Sequence, residues 1–92
     1  MSQVPGGWTP FSFEVTPEAS AVFAQALKGF TGVSYTPLAV ATQVVAGLNY
    51  SFLAKGTVVI PAQTQLAAVI HIYKPLQGDP VLRQIDEVPP TY

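Results

Sequence analysis

The sequence predicts an α+β fold: an antiparallel β-sheet of four to five strands wrapped across one α-helix. Three observations lead there. Only one segment, 16–29, repeats apolar residues at helical spacing. The segments on either side of it alternate in period two or are rich in β-branched residues, with turn-like stretches between them. The chain has 92 residues, which suits a single domain over 1–92. An amphipathic helix and a one-faced sheet can each bury their apolar side against the other.

Taken in order, residues 1–10 are rich in Pro and Gly, carry no periodic pattern, and read as a flexible N-terminal arm. "FSFEV", 11–15, sets Phe11, Phe13 and Val15 against Ser12 and Glu14 and predicts a short first strand with one buried face. Thr16 is placed to cap a helix, Pro17 suits its first position, and Glu18 suits its first turn. Ala19, Val22, Phe23, Ala26, Leu27 and Phe30 then mark one face of about three to four turns. Lys28 and Gly29 supply a C-terminal charge and a left-handed stop.

Residues 33–45 favour β structure, and Pro37 implies an edge position or a bulge. In 48–59, Leu48, Tyr50, Phe52 and Ala54 share one face; in 64–74, Leu66, Ala68, Ile70 and Ile72 do. "PLQGDP", 75–80, is a turn by composition, and 81–88 is the last strand. The strands after the helix follow one another as hairpins.

About half of the residues are hydrophobic, enough for one modest core. There is no cysteine, which excludes disulfides, thiolate metal sites and cysteine nucleophiles and fits a reducing compartment or a fold needing no staples. The opening "MSQVPGGW" lacks the pattern of a signal peptide, and no apolar run is long enough to span a bilayer; a cytoplasmic protein without membrane attachment is expected. Four basic residues, Lys28, Lys55, Lys74 and Arg83, are spread too thinly for a nucleic-acid footprint.

Catalytic chemistry finds little material. His71 is the single histidine, and no serine stands in a nucleophile-elbow context, so no hydrolytic triad is expected. His71 reads as an exposed or satisfied strand residue. Asp86 and Glu87 are strand neighbours on opposite faces and Asp79 is on a turn, so no metal or cofactor is expected. "GFTG", 29–32, follows a helix instead of opening one and reads as a helix stop, not a phosphate loop. "NYS", 49–51, matches a glycosylation acceptor but is inert without a secretory route.

What remains is placed at the turns. No charged residue occurs from Gly29 to Ala54, and the turn within "TQVVAGLNY", 42–50, carries two valines where polar residues usually sit. In an up-and-down sheet, that turn and "PLQGDP" fall at the same end, and the arm before the first strand can reach it. Apolar tips that break the local turn rules point to a surface covered by a partner.

"PGGW" near the start, a helix opening with "PE", the run "TQVVAGLNY" and a late "IYKPLQGDP" together resemble the stefins, the type-1 cystatins that inhibit papain-like cysteine proteases. The resemblance covers roughly residues 4–88, and the absence of cysteine fits stefins better than secreted, disulfide-bearing cystatins. It implies a cystatin-like fold and a wedge of three segments that fills a protease cleft. Val4 and Pro5 would occupy the unprimed side, and Gly6 and Gly7 would let the backbone turn from the catalytic cysteine without presenting a scissile bond. Gln43, Val44, Val45, Ala46 and Gly47 would enter the centre, and Leu76, Gln77 and Gly78 the primed side. No residue of the inhibitor would perform chemistry.

Two departures from the stefin pattern are visible: Leu76-Gln77-Gly78 stands where stefins commonly carry Leu-Pro-Gly, and the turn around "VVIPAQ" is longer. The alternative reading is a cystatin-fold binding module for a non-protease partner, since a fold alone does not settle function. The resemblance further implies a monomer, with a domain-swapped dimer as a side state reached by opening the first hairpin.

Overall fold

Thr16 begins the helix as its residue type requires. Its extended backbone (φ −67°, ψ 160°) leads into α1 (Pro17–Ala26), and its hydroxyl accepts from the Ala19 N–H at 3.2 Å. Pro17 fills a position whose N–H has no helical partner in any case. The helix is shorter than predicted. It stops at Ala26, because Leu27–Gly29 turn the chain away and Gly29 adopts φ +85°. The structure, a computed structural model, describes residues 7–59 and 64–90.

Four strands follow: β1 (Val33–Val45), β2 (Gly47–Val58), β3 (Gln65–Lys74) and β4 (Val81–Val88). They form one antiparallel sheet in the order β1-β2-β3-β4, each pairing with its neighbour in sequence. The predicted α+β arrangement, one helix across an antiparallel sheet, is therefore present, and it is consistent with a cystatin-like fold. Pro37 sits on edge strand β1 and beside a bulge, where the register shifts between Pro37 and Ala39.

Strand alternation decides the core. Tyr50, Phe52 and Ala54 of β2 face the helix beside Ala68, Ile70 and Ile72 of β3. Ala19, Val22 and Phe23 of α1 close over them. Phe23 meets Phe52 edge-on with ring centroids 4.8 Å apart, while Tyr50 lies parallel to Phe52 at 5.6 Å. Leu48 and Leu66, expected on the same faces, are partly buried against this cluster.

The predicted first strand is a correction. Residues 11–15 form no strand: Ser12 and Val40 exchange two backbone hydrogen bonds of 2.9 Å in an isolated bridge, and the pairing stops there. Pro10 has no N–H to donate, and the Ser12 hydroxyl accepts from the Glu14 N–H at 3.2 Å, bending the backbone off the sheet edge. Phe11 and Phe13 consequently remain 45% and 74% exposed instead of buried, and of that face only Val15 packs on the core.

Candidate functional site at the turn end of the sheet

The β1–β2 connection is extremely tight. Val44 pairs with Leu48 and Val45 with Gly47, leaving Ala46 alone at the tip. A return this sharp needs a residue that accepts positive φ, and Gly47 takes φ +110°. Gly47 is also buried. A Cβ there would lie 2.3 Å from the Lys74 carbonyl oxygen and 3.0 Å from the Pro75 Cα. The first tip thus rests directly on the chain entering the β3–β4 turn. Tyr73 fixes this contact by donating its hydroxyl to the Ala46 carbonyl.

The second turn is held from two sides. The Lys74 ammonium donates to the Pro75 carbonyl at 3.0 Å. On the helix side, the Gln25 amide donates to the Asp79 carboxylate at 3.0 Å. Between them Leu76, Gln77 and Gly78 project into solvent, Leu76 being 78% exposed and Gly78 having φ +127°.

The N-terminal segment runs along the free edge of β1. Trp8 forms an antiparallel bridge with Gln43, Thr9 N–H donates to the Thr42 carbonyl at 2.9 Å, and the Thr9 hydroxyl accepts from the Thr42 N–H at 2.9 Å. Gln43 in turn accepts from the Asn49 side chain at 2.8 Å, which ties the "NY" after the tip to the strand before it. Gly7 is therefore brought to the flank of the first tip. Val4, Pro5 and Gly6 lie outside the described residues.

The sites expected from the sequence sort as follows. Gly7 lies on one side, Val44 to Gly47 in the middle, and Leu76 to Gly78 on the other, all at one end of the sheet. Val44 and Val45 are 48% and 40% exposed, and Ala46 is exposed as well. Gln43 and Gly47 serve differently: one is hydrogen-bonded at the base of the tip, the other is buried beneath it.

One grouping escaped the sequence reading. On the face away from the helix, Ser51 of β2 meets the His71 Nδ1 at 3.0 Å, and the His71 Nε2 meets the Asp86 carboxylate at 3.2 Å. A carboxylate only accepts, so in the neutral imidazole Nε2 carries the proton and the Ser51 hydroxyl donates to Nδ1. Asp86 also accepts from the Gln84 amide at 2.6 Å. Ser51 is only 7% exposed on a regular strand, so its hydroxyl faces no open site. The arrangement links three strands, and it is the satisfied-strand reading of His71. Its signal in the sequence was alternation alone; the register that aligns Ser51 with His71 was needed to see it.

Among the described residues no three His, Asp or Glu side chains converge on a metal-sized site, and no helix is long and apolar enough to cross a membrane. Compared with protein-family models, curated proteins and solved structures, the chain matches none.

Proposed function

We propose that this chain is a reversible, tight-binding inhibitor of papain-like cysteine proteases that works by occlusion. The observation that carries the reading is the contact of Gly47 with Lys74 and Pro75. It sets two turns side by side with Val44, Val45 and Leu76 facing outward, and the bridge from Trp8 to Gln43 adds the N-terminal segment at their flank. Covering a Val or Leu side chain is worth about 1.5–3 kcal/mol. The tips are held by backbone pairing and by Tyr73 before any partner arrives, so little ordering cost opposes binding. A standard protease–inhibitor interface of about 1,600 Å² and nanomolar affinity, about −12 kcal/mol, are the expected scale.

No group of the chain acts chemically in this reading. The experiment is a titration of papain of known active-site concentration. The expected result is stoichiometric loss of activity, and loss of that inhibition in Gly6→Trp. Unchanged papain activity at micromolar concentrations of folded protein would overturn it.

The departure at Leu76-Gln77-Gly78 favours one second reading, a binding module of the same shape for a non-protease partner. A folded protein inert toward papain-like enzymes is its expected signature.

A further inference from the structure

The face of the sheet away from the helix holds a groove of about 500 Å³ beside the first tip. Trp8, Val45 and Ala46 line it at the β1 edge and the first tip, and Asn49, His71, Tyr73 and Arg83 line it from the other three strands. We propose that this groove is a binding site for a planar aromatic carboxylate. The inference does not rest on the protease reading.

Strand β4 contains a bulge here. His71 pairs with Gln84 and Ile72 with Leu82, so Arg83 is an extra residue with no partner across the ladder. Leu82 and Ile85 both pack on the core, so the two residues between them, Arg83 and Gln84, are turned to the outer face together. The bulge thus aims a guanidinium at the groove instead of leaving strict alternation to decide.

The surrounding charges leave that guanidinium available. Asp86, the β4 carboxylate that shares this face with His71, has one oxygen engaged by His71 and the other by Gln84. The only ion pair among the described residues is His71–Asp86. An arginine without a carboxylate partner among the described residues, placed at the edge of a concavity, suits a bidentate anion.

The rest of the groove sets the other half of the ligand. Trp8 is 45% exposed and lines the groove with Tyr73, whose hydroxyl is already spent on Ala46, so Tyr73 offers ring surface more than hydrogen bonds and Trp8 offers ring surface beside its indole N–H. Trp8 is held there by its bridge to Gln43. An aromatic body against the Trp8 and Tyr73 rings with its carboxylate on Arg83 uses each part. The groove is open, so a ligand of about a dozen heavy atoms should bind with a Kd on the order of 0.1–1 mM.

The chain has one tryptophan and one histidine, and both line the groove. Their ring resonances in NMR therefore report on it without ambiguity. Titration with 2-naphthoate should shift the Trp8 indole N–H and the His71 ring C–H saturably, while Phe30 and Val59 at the other end of the sheet stay unmoved. The neutral analogue 2-naphthamide, and 2-naphthoate added to Arg83→Gln, should each bind at least fivefold more weakly. Equal binding by Arg83→Gln, an absence of saturation up to 10-fold above the expected Kd, or shifts spread evenly over the protein would overturn the proposal. Val45 and Ala46 belong to both surfaces, but the papain titration reads occlusion of a protease and the NMR titration reads a small anion at Arg83, so either reading can fail alone.

Discussion

Gly47 and Lys74 touch backbone to backbone: a side chain on Gly47 would need the space held by the Lys74 carbonyl, with only 2.3 Å from its Cβ to that oxygen. This contact joins the two hairpin turns into one surface. Neither atom belongs to a flexible side chain, so nothing can swing aside.

Gly47→Ala should therefore do two things. It should cost about 1–3 kcal/mol through strain at φ +110°, read as a lower midpoint in urea. It should also part the two turns, raising the papain inhibition constant at least tenfold. Amide shifts at Lys74 and Leu76 would locate the change. A variant as stable and as inhibitory as the parent would contradict the contact.

Val45→Asp separates surface from scaffold. Val45 is 40% exposed at the tip, so unfolding free energy should change by no more than about 0.5 kcal/mol. A buried, unpaired carboxylate at the centre of an interface is costly, and inhibition should weaken by at least about a hundredfold. Matched urea melts and inhibition titrations of the two proteins test both halves.

Thr16→Ala removes the acceptor for the Ala19 N–H at the start of a helix only 10 residues long. The expected loss is about 1 kcal/mol of stability. Thr16→Ser should restore most of it. Inhibition should remain unchanged at temperatures where the variant is folded, because the cap is not part of the turn surface.

Alkaline pH should destabilise the protein through two tyrosines. Burial first, and Glu18 second, push the Tyr50 phenol above its ordinary value of 10.0. Burial first, and Glu87 second, do the same to Tyr35. The folded state thus holds these protons more tightly than the unfolded chain does. Their stabilising effect is complete below the ordinary value and is lost as pH rises from there through the raised folded values. Urea midpoints between pH 8 and pH 11.5 should fall on the alkaline side, and Tyr35→Phe with Tyr50→Phe should flatten that fall.

The single helix with its Thr16 cap, the shared faces of Tyr50, Phe52 and Ala54 and of Ala68, Ile70 and Ile72, and the edge position of Pro37 beside a bulge were determined by the sequence alone. Each follows from a local rule: a capping oxygen, a period of two, a missing N–H. The valines at the tip were legible for the same reason, as apolar residues where a turn rarely has them. Tertiary structure decided the rest, because it depends on which residues meet across the sheet. Phe11 and Phe13 alternate like a strand yet stay exposed, since residues 11–15 meet the β1 edge only at the Ser12 bridge. Gly47 lies beneath the second turn, Ser51 lines up with His71 and Asp86, and Arg83 is turned outward by a bulge. Register and bulges set these meetings, and a shift of one residue would exchange every face; no local preference of a single strand contains that information.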